Sequence, residues 1–178
     1  MSVAVRPAAG LTLAAALLLC SLATAAPARA AQCSGADAAG GPAGARAAAV
    51  LCLTTQARSQ AHRAALRGAA ALKRSAALKV DSIERCGTFT HTPCGSRMWA
   101  PMARTGYARG CFSVGENLAW ADPGSTPRQI VQAWLDSPQH RANLLDSRFR
   151  DTGVANRVVT LSDTGRVELW VQHFGSRC

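Results

Sequence analysis

Residues Gly115 to Leu145 read GENLAWADPGSTPRQIVQAWLDSPQHRANLL, and this stretch decides the fold. Thr126, Pro127 and Gln129 form a T-x-x-Q capping box, with proline at the first helical position, where its missing N–H costs nothing. Ile130, Val131, Trp134 and Leu135 then fall on one apolar helical face, and Pro138 prevents simple continuation. Ser137 caps a new turn that carries His140 in its first turn. Upstream, Asp122-Pro123-Gly124 reads as a turn, and Gly115-Glu116-Asn117 as a tight turn that presents a carboxylate.

Toward the C-terminus the pattern changes to strands. Gly153 to Val159 is β-prone, Ser162-Asp163-Thr164-Gly165 signals a hairpin, and Arg166 to Gln172 returns. Val167, Leu169 and Val171 alternate with Arg166, Glu168 and Trp170, which predicts one apolar face. Toward the N-terminus, a helix from about Ala45 carries Val50, Leu53, Ala57 and Ala61 on one face, with Arg58 off the stripe. A second helix spans about Ala69 to Cys86, with Leu72, Ala76, Val80 and Ile83 as its core stripe and Gly87 as its stop. Ser96 to Thr105 predicts a further short helix. Helices followed by a hairpin predict an α+β domain. Trp120, Trp134 and Trp170 are expected in the core, and His62 on the surface.

The first 30 residues read as a secretion signal: Arg6, an apolar run from Leu11 to Leu19, and an A-x-A site at Ala28-Arg29-Ala30. The run is too short for a convincing membrane span. Residues 31–44, rich in Ala, Gly and Pro, read as a flexible tail, and 45–178 as one domain. Cys20 leaves with the signal, so six of the seven cysteines remain, an even count that in an exported chain means disulfides. Cys33–Cys52 would tie the tail to the first helix. Cys86–Cys94 would close a short loop around His91 and leave Cys111 for Cys178, although Cys86 or Cys94 reaching Cys111 or Cys178 is also open. The formal charge of +10 suits an anionic surface, or simply a solubilising one. No dense basic block or aromatic interleaving marks a nucleic-acid face.

Three residues carry candidate chemistry: His91, Glu116 and His140. Two imidazoles and a carboxylate can hold zinc or another divalent ion with a position open to water, or act as acid and base without metal. A histidine in the first turn of a helix is biased to the neutral form that both roles need. The plain alternative is a hydrogen-bond network, with Glu116 bracing a turn and His140 capping a helix. No G-x-S-x-G, C-x-x-C or phosphate loop is present.

Phe89-Thr90-His91-Thr92, Gly115-Glu116-Asn117-Leu118-Ala119 and Ser137-Pro138-Gln139-His140-Arg141-Ala142-Asn143-Leu144-Leu145, in this order, resemble the CAP superfamily. This superfamily comprises the cysteine-rich secretory proteins, antigen 5 and pathogenesis-related 1, and the likeness is to its bacterial secreted branch. It covers nearly all of residues 45–175. It implies an α-β-α sandwich with a small, mainly antiparallel sheet, and a central cleft lined by His91, Glu116 and His140. Asn117, Asp136 and Gln172 are cleft neighbours under the same resemblance. The implied function is an extracellular protein whose cleft binds a lipid or cell-envelope component, with or without a divalent metal such as zinc. A hydrolase using the same trio and a non-catalytic interaction module are the alternatives. The chain departs from the family in three places. Leu53-Thr54-Thr55-Gln56-Ala57-Arg58 stands for L-x-N-x-x-R, His62-Arg63-Ala64-Ala65-Leu66 for a Gly-Leu-containing turn, and Trp134-Leu135-Asp136-Ser137 for W-x-x-E, so Asp136 lies one residue early.

Overall fold

The central strand of the sheet is the one at the C-terminus. In this computed structural model, which describes residues 32–162 and 164–178, strand β4 (Gly165–Arg177) pairs antiparallel with β3 (Asp151–Leu161) on one side and β2 (Phe112–Ala121) on the other. A two-residue strand β1 (Arg67–Gly68) joins the far edge of β3 in parallel, giving the order β1-β3-β4-β2. The segment read as a secretion signal, with Cys20, lies outside the described residues.

The helices form two layers. Helix α1 (Ala43–Gln60), α4 (Pro127–Asp136) and α5 (Pro138–Leu145) pack on one face, where Val50, Leu53, Ile130, Val131, Trp134 and Leu144 meet Trp170 and Phe174. On the other face α2 (Ala70–Cys86) sets Ala76, Val80 and Ile83 against Leu118, Leu169 and Val171. The short helix α3 (Ala100–Arg104) packs beside it, placing Met102 against Leu72. The domain is therefore the expected α+β, α-β-α sandwich. Among the described residues no helix is long and apolar enough to cross a membrane.

Two-sided cover corrects two sequence expectations. Strand β4 has no solvent face, because Glu168, Trp170 and Gln172 are as buried as Val167, Leu169 and Val171. Gly115-Glu116-Asn117 is not a turn but the middle of β2, paired with Phe174, His173 and Gln172. Gly115 to Leu118 are all buried, so no polar–apolar alternation exists there to reveal a strand.

Arg58 corrects a third expectation. It is fully buried, with Nε donating to the Ala64 carbonyl at 2.7 Å and Nη1 to those of Leu144 at 2.7 Å and Asp146 at 3.1 Å. The last carbonyls of a helix lack helical partners, and Arg58 supplies donors where α5 ends. Part of the segment read as a tail is also packed. Ala36 is buried, its carbonyl accepts from the Arg128 amide at 2.9 Å, and Asp37 pairs with the Arg128 side chain. The disulfides are Cys33–Cys52, Cys86–Cys94 and Cys111–Cys178. Trp134 and Trp170 are core residues, whereas Trp120 is 47% exposed on the edge strand.

Glycine is required at 153, where a Cβ would stand 2.1 Å from the Lys73 backbone nitrogen. This close approach seats α2 on β3 and so positions everything α2 carries. On the opposite layer, the Thr126 hydroxyl accepts from the Gln129 amide and the Gln129 side chain accepts from the Thr126 amide, completing the capping box. Thr126→Ala is expected to cost about 1 kcal/mol, lowering the thermal midpoint by roughly 2–4 °C. An unchanged melt would show that the box contributes nothing.

Candidate functional site

Strand alternation separates Glu116 from Asn117. Glu116 faces α2, and Asn117 faces the α1–α4–α5 layer. On α2, Ser75 and Lys79 lie one turn apart and point at the same spot of the sheet, where β4 contributes His173 directly opposite Glu116. The result is a buried cluster. Glu116 Oε2 accepts from His173 Nε2 at 2.8 Å and from the Lys79 ammonium at 3.1 Å. Oε1 accepts from His91 Nδ1 at 2.7 Å. Lys79 also donates to the His91 carbonyl at 2.6 Å, which ties the loop closed by Cys86–Cys94 to the core.

Protonation follows from these partners. Burial alone would raise the Glu116 pKa, but hydrogen bonds from His173 and His91, with the positive charge of Lys79, outweigh it and bring it down to about 2. An ionised carboxylate only accepts, so both facing ring nitrogens carry hydrogen. Burial lowers the His173 pKa against the pull of Glu116, which leaves the ring neutral. Its Nδ1 is then an acceptor for the Ser75 hydroxyl 2.7 Å away, in competition with the Leu72 carbonyl 2.8 Å from the same hydroxyl. Burial likewise lowers the Lys79 pKa, with Glu116 opposing.

His91 is the cluster's outlet. Its side chain is 51% exposed, and with Nδ1 committed to Glu116, Nε2 is the ring nitrogen that the carboxylate leaves free. His140 stands near it. Burial, and then the charge of His91, lower the His140 pKa. The backbone of α5 is fixed to the edge strand by Asn117 Nδ2 donating to the His140 carbonyl at 3.1 Å. Asn143 Nδ2 donates to the Glu116 carbonyl at 3.1 Å and to Asn117 Oδ1 at 3.0 Å. Trp134 Nε1 covers the next outward carbonyl, that of Leu118, at 3.1 Å. Edge groups that would otherwise be open are thereby occupied.

Of the residues singled out in the sequence, the structure joins His91 directly to Glu116 and brings His140 within reach of the charge on His91. Asn117 serves as the anchor of α5. Gln172 lies on the other face of the sheet, donating to Thr54 and Thr152. Asp136 is exposed at the end of α4 and accepts from Gln132. Lys79, Ser75, Asn143 and His173 are not among those residues. Two of these four had a readable signal. Lys79 falls on the Leu72–Ala76–Ile83 stripe, and His173 on the Val167–Leu169–Val171 face.

A divalent cation does not fit the cluster as arranged. Both carboxylate oxygens of Glu116 are already occupied by N–H donors, and a buried ammonium stands beside one of them. Among the described residues, no group of three or more His, Cys, Asp or Glu side chains is placed to hold a metal ion. An apolar cavity of about 260 Å³, lined by residues such as Ala47, Leu51, Ala69 and Val154, opens elsewhere and shares no residue with this cluster.

A family model described as the cysteine-rich secretory protein family matches residues 51–174. No curated protein matches the chain. Among solved structures, an outer surface protein of Borrelia burgdorferi is similar at 22% identity, with a TM-score of 0.59 over 72% of this chain and 90% of that one. An extracellular SCP-domain protein of Bacillus anthracis is similar at 24% identity and a TM-score of 0.58, over 70% of this chain and 38% of that one. A cysteine-rich secretory protein of Staphylococcus aureus is similar at 14% identity and a TM-score of 0.56, over 74% of this chain and 38% of that one. At these identities the structural likeness shows the fold, while the family match spans most of the chain. The chain belongs to the cysteine-rich secretory protein family and carries the CAP fold.

Proposed function

We propose that the chain is secreted and binds a component of the cell envelope, a lipid or wall fragment, at the surface around His91 and His140. The observation that carries this reading is the His91–Glu116 pair. A buried, ionised carboxylate holds one ring nitrogen at 2.7 Å and leaves the other aimed outward from a half-exposed side chain. Orienting an imidazole in this way costs burial of a charge, and a ligand held by that imidazole gives the arrangement a use. The disulfides accord with an oxidising compartment, and the basic net charge favours anionic envelope material. Residues 32–178 are to be titrated with anionic vesicles and with soluble peptidoglycan fragments. His91→Ala is expected to weaken binding of one of them about tenfold or more with the fold unchanged. Equal affinity of His91→Ala and wild type for both would remove this reading.

The same pair favours acid–base hydrolysis as the second reading. A carboxylate that fixes Nδ1–H leaves Nε2 as the base, the logic of a carboxylate–histidine dyad. His140, neutral and close by, would supply the second proton-handling group. That reading requires turnover that disappears when His91 is replaced.

A further inference from the structure

We propose that a peptide with an apolar residue at its free C-terminus docks on the outer edge of β3. The peptide adds as an antiparallel strand beyond β1, its last side chain enters the apolar cavity between α1 and α2, and its carboxylate meets Lys73. The cavity shares no residue with the cluster around Glu116, so this site is separate from the envelope-binding surface and is judged separately.

Strand register leaves that edge open. The Ala69 amide donates to the Thr152 carbonyl at 2.8 Å, so Thr152 turns its backbone groups away from β4. By strand alternation Val154, Asn156, Val158 and Thr160 do the same. Strand β1 ends at Gly68, opposite Thr152, and beyond it no other segment among the described residues pairs with those outer groups. Helices α1 and α2 pack on opposite faces of β3, and Arg157, Val158 and Thr160 are exposed. An open row of N–H and C=O groups between two helices is a template to which an extended peptide can add.

The end of that row sets what the peptide must be. The cavity of about 260 Å³ begins where β1 leaves the edge, lined by Gly153 and Val154 of β3, Ala48 and Leu51 of α1, and Ala69 and Lys73 at the start of α2. It takes one large apolar side chain. A strand pairing with Val154 cannot run on past Thr152, because β1 already holds that carbonyl, so the added chain must end at the cavity. Two directions remain. A parallel strand would bring its N-terminal ammonium beside Lys73, and like charges repel. An antiparallel strand brings its C-terminal carboxylate there instead. Lys73 is exposed, and among the described residues its ammonium has no ion-pair or hydrogen-bond partner, whereas Arg67, beside Gly68 of the lining, is held by Asp151 at 2.9 Å. No acidic residue lines the cavity. One C-terminal residue thus offers an apolar side chain to an apolar space and a carboxylate to a free cation.

The probes are acetyl-Thr-Val-Thr-Val-Leu with a free carboxylate, the same peptide as its C-terminal amide, and the same peptide ending in alanine. Each is titrated to millimolar concentration into the oxidised protein, and backbone amide shifts are followed. The free acid is expected to move the amides of Val154, Asn156 and Lys73 and to saturate them. The amide peptide is expected to bind about fivefold more weakly, and the alanine peptide about tenfold or more. Lys73→Glu should reproduce the loss seen with the amide peptide. Ala48→Phe, which fills the cavity from an exposed position on α1, should abolish binding. The proposal is overturned by absent shifts at millimolar peptide, by equal affinity for acid and amide, or by shifts confined to other residues. Decanoate is the comparison ligand: decanoate bound in wild type and lost in Ala48→Phe, with no peptide bound, would make the cavity a fatty-acid site and overturn the proposal too. His91→Ala is expected to leave peptide affinity unchanged, and a loss there would place the peptide at the other surface and overturn this one.

Discussion

Glu116→Gln is expected to lower stability by about 3–5 kcal/mol at neutral pH, or roughly 6–20 °C in thermal midpoint. The amide keeps the shape of the side chain but removes its charge, leaving the buried Lys79 ammonium without a counter-ion 3.1 Å away. It also puts an NH2 group against one of two N–H donors, so His91 or His173 loses its acceptor. His91 is the more exposed of the two and is expected to swing free, which nitrogen chemical shifts of its ring would show. The acid limb of the stability curve gives a second reading. The folded pKa of Glu116, about 2, lies below the ordinary carboxylate value of 4.5, so its contribution is complete above 4.5 and is lost as pH falls toward 2. That contribution is about 3 kcal/mol. Lys79 stays protonated through this window and adds no slope, whereas His173 and His140, whose pKa values are lowered, add destabilisation that begins below about 6.5. Wild type should therefore fall more steeply than Glu116→Gln between pH 4.5 and 2. Parallel urea-midpoint curves over that range would show that Glu116 is not the ionised centre of the cluster.

Arg58→Met is expected to cost about 3–5 kcal/mol as well, by a different route. Burial lowers the Arg58 pKa from the ordinary arginine value, yet the group remains cationic and holds three carbonyls from two separate segments. Methionine fills the space but leaves the Ala64, Leu144 and Asp146 carbonyls without these donors. Because two of them end α5, the loss should reach His140, and its ring resonances should shift. Arg58→Lys should rescue little, since a point charge on a flexible stem cannot reproduce a planar fork. A lysine variant within about 1 kcal/mol of wild type would show that charge alone suffices.

Features set by neighbours in the chain were legible without coordinates. The Thr126 box, the α2 stripe and the turn before Gly165 each depend on residues a few positions apart, whose dihedral and hydrogen-bond preferences act in any context. The pairing of Cys86 with Cys94, eight positions apart, was one that the sequence offered, while Cys111 and Cys178 stayed open as partners. Part of the site was legible as well: His91, Glu116 and His140 were recognisable from the family-like segments around them. Lys79 and His173 were open to inference, each being a polar residue on an apolar stripe, but a stripe alone does not say what it will face.

The remaining features depend on what covers them. Glu116 sits in a strand with no alternation to read, because α2 closes one side of β2 while α4 and α5 close the other. Arg58 lies off the apolar stripe of its helix and is buried because the end of α5, 86 residues later in the chain, lies against it. The cluster exists only because the sheet sets Glu116 opposite His173 and α2 lowers Lys79 onto both, an approach that the missing side chain of Gly153 permits. Sequence thus determined which segments would be helix and hairpin, since those are short-range free energies. Which charges would be buried together was decided by the tertiary structure, since desolvation and Coulomb attraction act only once distant segments have excluded water from the space between them.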